Sequence, residues 1–554
     1  MYLKNSILTM LILSALTACN VKEKDISAGL KSISADDLKQ NISVLASDDF
    51  KGRFPGTDGE KKTIDYIAAQ FAKVGLKPAN NGSWFQEVPL VRITPSSPIK
   101  FSVTGAKGRA ELKEYDDFVG STPLLTGKIN FDNSDIVFVG YGINAPEYRW
   151  NDYSGLDVRG KTVVMLVNDP GYATGDTTLF NGKAMTYYGR WTYKYEEAAR
   201  QGARAAVIIH ETGAAGYPWE VVRNSFTGPQ LDLEQNELSN SSLEFKAWIT
   251  TDEARKLFEA AGLNYDNTVR IASHRGFIPV DMHLKASVEF SNSVARLTSN
   301  NVAGVLPGKT RPDEYIIYTA HWDHLGVNDA LKGDSIFNGA VDNATGVAAL
   351  ISIAKAFKSL PFTQERSILF LSVTGEEQGL LGSEYYVSHP LYPLNKTVAD
   401  INMDALDIFG PTRDMTIIGY GYSSLDNFVV PVLNGYGRYL IPDPEPEKGG
   451  YFRSDHFSFA KAGVPSLDLS GGIDDYEVGK ELGRQERDQW TMQHYHKPSD
   501  EYDPAKWDFE GMVSDIKVYF QVGYDLSMTD QFPDWVDGNP YKPLRDKMME
   551  NLPK

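Results

Sequence analysis

From about Asn300 onward the sequence repeats strand, loop and helix, and that alternation predicts an α/β fold: a mostly parallel mixed sheet flanked by helices. Three observations carry the prediction. Glu314 to Ala320 and Arg366 to Val373 are short apolar runs of strand length, separated by Asn343 to Leu360, which has helical spacing. Asp400 to Met403 and Val464 to Leu469 supply further strands. Polar residues of catalytic type cluster just past the ends of these strands, where such sheets collect their functional groups.

Earlier elements follow in order. Ser34-Ala35-Asp36-Asp37 starts a helix that places Leu38, Ile42 and Leu45 on one face. A second helix carries Ile64, Ile67, Ala68, Phe71 and Val74, with Gly75 placed to end it. From Gly127 the texture changes to short strands (Ile136 to Gly140, Lys161 to Val167, Arg204 to His210) around one helix, Tyr193 to Gln201, which predicts a smaller inserted α/β domain. The expected division is 34–126 and 287–554 for the main domain and 127–286 for the insert.

The amino terminus reads as a signal. Lys4 precedes the apolar run Ile7 to Leu16, too short to span a bilayer, and Leu16-Thr17-Ala18-Cys19 follows. Cys19 is the only cysteine of 554 residues, which excludes a disulfide framework and a thiolate metal site. Its position resembles the bacterial lipobox. That resemblance implies a signal peptide over 1–18, a lipid on Cys19, a tether over 19–33 and a place in the cell envelope; Asn20 implies the outer membrane. With 55 basic against 73 acidic residues and a net charge of −18, no nucleic-acid partner is expected.

The chemistry-bearing residues recur after successive elements: His321 with Asp323 and His324, Asp342, the pair Glu376-Glu377, Asp404, and Tyr495-His496. Imidazole and carboxylate without thiolate suit zinc or another first-row divalent ion at a catalytic site. His321, Asp342, Glu377, Asp404 and His496 exceed the needs of one tetrahedral zinc, and two ions sharing one carboxylate would use them all. Singly these signals are weak, since an aspartate before a helix is ordinarily an N-cap.

Together the runs AHWDHLG, NGAVDNATG, TGEEQGLLGSEYY, INMDALD and YHKPSDEYD resemble metallopeptidase family 28, zinc exopeptidases related to glutamate carboxypeptidase II, over most of the chain from about Leu38. The segment GYGINAPEYRWNDYSGLDVRGKTVV resembles the protease-associated domain of its larger members. The resemblance implies the zinc exopeptidase fold, two zinc ions per chain and a peptide substrate. His321 and Glu377 would each bind one zinc, Asp342 would bridge, and Asp404 and His496 would complete the two spheres. Asp323 would orient His321, Glu376 would act as general base and acid, and Tyr495 would support the oxyanion. A cis bond between Asp342 and Asn343 is also implied. His324 is read as a second-sphere or structural residue, and Arg453 as pocket lining or a salt-bridge partner in equal measure.

The leading expectation is an aminopeptidase. Alternatives are a carboxypeptidase or dipeptidase of the same fold, a glutaminyl cyclase, and a non-catalytic binding protein on a peptidase scaffold. The carboxypeptidase needs a cationic pocket, for which Arg453 is the one obvious candidate.

Overall fold

The computed structural model describes residues 24–234 and 241–550, so the signal segment 1–18 and Cys19 lie outside the described residues. The first predicted helix runs Ala35–Leu45, starting where the Ser34 hydroxyl accepts the Asp37 N–H at 3.3 Å, and it buries Leu38, Ile42 and Leu45. The second runs Asp58–Val74 and stops at Gly75, whose φ of 90° is the left-handed geometry a glycine adopts without a Cβ penalty.

The main sheet is mixed with a parallel centre. Its order is Gln230–Leu233, Phe85–Pro95, Val280–Leu306, Arg366–Val373, Arg311–His321, Thr397–Asn402, Ser466–Gly471, Asp414–Ile418 and Tyr439–Pro442. The four strands from Arg366–Val373 to Ser466–Gly471 are parallel. Both faces of this centre are covered, so its strands read as near-continuous apolar runs. Ile316, Tyr318 and Ala320 pack with helices Ala35–Leu45, Thr345–Lys358 and Phe509–Met528, while Ile317 meets Tyr386 and Phe459 on the other face. The stretch Ala340–Lys358 is long and apolar enough to cross a membrane, yet 94% of it is buried inside the protein, as a core helix requires.

A second sheet holds Gly108–Leu112, Lys100–Gly105, the first half of Val280–Leu306, Lys128–Phe138, Thr162–Leu166, Ala205–His210, Phe245–Thr250 and Phe118–Ser121. Its layer therefore begins at Lys100, ahead of the expected division at 127. The division at 287 falls inside one 27-residue strand, Val280–Leu306, which passes from the smaller sheet into the main one. Register shifts between Asp281 and Lys285 and between Ala286 and Val288 mark irregularities, which bend and twist a strand. Gln230–Leu233 returns from the smaller layer to pair with Phe85–Pro95. The two layers are thus stitched twice, which sequence texture alone does not register.

The parallel centre fixes the edge on which side chains converge. In register, His321 lies opposite Val373 and Thr319 opposite Asn402, so two of the strands end level and the third ends two residues earlier. His321 terminates one strand, Thr374-Gly375-Glu376-Glu377 follows the second, and Met403-Asp404 follows the third.

Candidate metal centre

The carboxylate of Asp342 occupies the middle of this edge. Its Oδ1 is 3.3 Å from His321 Nε2 and its Oδ2 is 3.3 Å from His496 Nε2. His321 Nε2 is also 3.1 Å from Asp404 Oδ1, and His496 Nε2 is 3.0 Å from Glu377 Oε2. The five side chains singled out as metal ligands are therefore brought together. His321, Asp342 and Asp404 form one group with metal-binding spacing; Asp342, Glu377 and His324 form another that shares Asp342. Asp342 does not cap the following helix, whose N-cap is Ala344, and the peptide between Asp342 and Asn343 is cis.

Asp323 behaves differently from expectation. His321 Nδ1 meets the backbone carbonyl of Asp323 at 3.1 Å, while the carboxylate Oδ1 is 3.8 Å away. That carboxylate instead accepts the Glu376 N–H at 3.1 Å, so it anchors the loop carrying both glutamates. Burial pushes its carboxyl up to about 7.

The adjacent glutamates are held in opposite electrostatic states. Glu376 is raised well above the ordinary carboxyl range by burial, and the neighbouring Glu377 and Asp404 raise it further against the pull of His321. Burial would also raise Glu377, but His496 and His324 more than offset it, and its carboxyl falls to about 2. Burial and the nearby Asp342 and Glu377 lift the partly buried Tyr495 phenol well above its ordinary value, which keeps its proton in place as a donor. Its ring lies 4.0 Å from that of His496.

Several residues that support this centre were given no role by the sequence, although His324 and Asp500 stand inside the runs quoted above. Arg53 is 1% exposed and donates to the carbonyls of Leu45 (2.8 Å), Trp322 (2.8 Å), Asn338 (2.5 Å) and Gly339 (2.8 Å). It ties the amino-terminal segment to the two loops bearing His321 and Asp342. The Asp500 carboxylate accepts the N–H groups of Val341 (2.9 Å) and Asp342 (3.1 Å). From the smaller layer, Ser225 Oγ lies 3.1 Å from His496 Nδ1 and Asn224 donates to the His496 carbonyl at 2.9 Å. Such partners set the tautomer and tilt of a ligating imidazole. His324 is fully buried with Nδ1 hydrogen-bonded to Glu377 Oε1.

Beside the centre opens a cavity of about 190 Å³ lined by Glu376, Glu377, Tyr495 and His496 from the main domain and by Arg190 and Tyr217 from the smaller layer. Arg453 also faces it, stacking on the Tyr217 ring at 4.8 Å and donating to the Ala215 carbonyl at 2.7 Å. It makes no ion pair among the described residues, which sets aside the salt-bridge reading. The Nε–H groups of Arg190 and Arg453 are buried without a partner. Burial, then the Arg453 charge, bring Arg190 down to about 10.

Fold and site together define an α/β protein with an imidazole–carboxylate centre of metal-binding spacing and a cavity beside it. Residues 301–521 match the family model described as Peptidase family M28. Aminopeptidase NAALADL1 of Mus musculus is 36% identical over 225 residues, 35% of this chain and 27% of that protein. A glutamate carboxypeptidase 2 homolog of Caenorhabditis briggsae is 22% identical over 525 residues, 82% of this chain and 62% of its own length. The chain thus spans less than two thirds of either relative. An aminopeptidase from Aneurinibacillus sp. strain AM-1 shares the fold, with a TM-score of 0.56 at 18% identity over 92% of this chain and 97% of that one.

Arg53→Lys keeps the charge but cannot reach four carbonyls with one ammonium. It is expected to cost about 2–4 kcal/mol of stability, read as a lower urea midpoint. An unchanged midpoint would show that the two loops do not depend on the guanidinium.

Proposed function

We propose that this chain is a zinc-dependent exopeptidase, and specifically an aminopeptidase that releases residues from free amino termini. The observation that carries the reading is the placement of Asp342 between two imidazole–carboxylate groups, with Glu376 beside them and uncommitted to either. The donor set fits the metal: both imidazoles and Asp342 are buried, Glu377 and Asp404 are half-buried, and no thiolate is among them. His321, Asp404 and Asp342 would hold one ion; Asp342, Glu377 and His496 would hold the other. A bound zinc pair supplies Lewis-acid polarisation of water and of the scissile carbonyl.

The chain's own residues supply the rest. Glu376 takes the proton of the attacking water and returns it to the nitrogen of the leaving amine. Its buried site favours the protonated form, which suits a group that must hold a proton between those two transfers. Asp323 keeps Glu376 in place through the backbone N–H. Tyr495 offers its phenolic proton to the carbonyl oxygen as negative charge develops there. The smaller layer lines one side of the cavity with Arg190 and Tyr217.

A second reading, carboxypeptidase or dipeptidase activity, is favoured by the Arg190–Arg453 pair. Two guanidiniums whose Nε–H groups are buried without a partner face the cavity and are placed to receive a substrate carboxylate by charge-assisted hydrogen bonds. The name of the glutamate carboxypeptidase 2 homolog points the same way. For the amino terminus, which lies outside the described residues, we propose lipidation at Cys19 and residence in the bacterial envelope, on sequence alone.

Glu376→Gln should retain zinc and lose roughly 10²–10⁴-fold in kcat, because the amide cannot accept the proton. Glu377→Gln should lose zinc instead. Equal zinc content in the two variants, or near-normal kcat in the first, contradicts the division of roles.

Aminoacyl amides with a free amino group should be cleaved, and N-blocked peptides with a free carboxylate should not. The reverse pattern replaces the first reading with the second. Under the second reading, Arg190→Met with Arg453→Met raises KM about 10–100-fold for substrates bearing a free carboxylate and leaves their amides unchanged.

Cys19→Ser should move the protein out of the membrane fraction. Unchanged fractionation contradicts the anchor.

A further inference from the structure

His324 has no part in the chemistry above, yet it is packed as closely against the centre as any residue there. It is fully buried, and its ring lies edge-on to that of His496 at a centroid distance of 5.7 Å and an interplanar angle of 77°. Behind it stands Gly339, at φ 56°; a Cβ there would fall 2.6 Å from both Cγ and Cδ2 of the imidazole. The same Cβ would fall 2.2 Å from the Asp342 carbonyl oxygen, so the glycine leaves room for both the His324 ring and the Asp342 backbone.

The two oxygens of Glu377 face different partners. Oε2 points to His496 Nε2 at 3.0 Å and shares that imidazole with Asp342, while Oε1 is hydrogen-bonded to His324 Nδ1. An ionised carboxylate only accepts, so Nδ1–H of His324 is the donor. Nε2 of the same ring is buried without a partner. We propose that His324 is a positioning residue for the second cation. By holding Oε1, it presents Oε2 alone to the space shared with Asp342 and His496 and fixes the carboxylate plane there. Carboxylates left free to rotate bind less tightly, and partners of this kind typically contribute about 10–100-fold in metal affinity.

The inference rests on the two-cation reading of the site, and the test separates the two. Zinc binding by the full chain is measured by chelator competition, with Zn²⁺ alone as the probe, for wild type, His324→Leu and His324→Asn, alongside thermal melts of the metal-free proteins. The Asn side chain places its Nδ2–H close to where the histidine Nδ1–H lies. Wild type should bind two zinc ions. His324→Leu should keep the first and weaken the second about 10–100-fold, and His324→Asn should stay within about threefold of wild type for both. Two ions bound by His324→Leu with wild-type affinity overturn the role of His324 and leave the two-cation reading standing. Equal impairment in the Asn and Leu variants also overturns it, because the imidazole then acts as a ligand and not as a donor. A wild-type stoichiometry of one overturns the two-cation reading itself.

Discussion

Like charges gathered in a space closed to water constrain everything else in this protein. Asp323, Asp342, Glu376, Glu377, Asp404 and Asp500 meet at one sheet edge, three of them buried and three half-buried. In a low dielectric, neighbouring carboxylates cannot all be ionised unless positive charge is close by. The fixed cation the chain provides is Arg53. Burial draws its pKa down to about 10, and the charges of Asp500, Asp342, Asp323 and Glu377 resist that fall. One guanidinium does not balance the set. The carboxylates also push the His321 and His496 imidazoles toward their charged forms, and a divalent cation held among them, as proposed above, would add to that balance.

The strand ends that define the edge were legible in the sequence because each is local. Apolar runs of strand length announce Arg311–His321 and Arg366–Val373, and Ser34 and Gly75 carry their own capping chemistry. The candidate ligands were legible as residue types at successive strand ends, and the structure brings His321, Asp342, Glu377, Asp404 and His496 within reach of one another. What escaped was tertiary. Arg53 looks like an ordinary basic residue before a turn until its carbonyl partners, as far away in sequence as Gly339, are known. Ser225 and Asn224 lie some 270 residues from His496, with |i−j| of 271 and 272. The smaller layer begins at Lys100 because Val280–Leu306 pairs with Lys100–Gly105, a contact that composition does not reveal.

The smaller layer is more than an appendage. Ser225 meets the far nitrogen of His496, Arg190 and Tyr217 wall the cavity, and Asn168 donates to the Glu447 carbonyl at 3.0 Å across to the main domain. Changes in how this layer packs would therefore reach both the ligand field and the substrate pocket. Adjacent glutamates illustrate the same economy of means. One backbone turn presents Glu377 to its histidines and leaves Glu376 beside them in a site that favours its proton.

The central claim is that Asp342 is shared by two cations. Anomalous diffraction from zinc-soaked crystals of the full chain, collected on both sides of the zinc edge, tests it directly. Two peaks roughly 3.5–4 Å apart are predicted, one between His321 and Asp404 and one between Glu377 and His496, with an Asp342 oxygen on each. A single peak at saturation, or two peaks that do not share Asp342, would contradict the account.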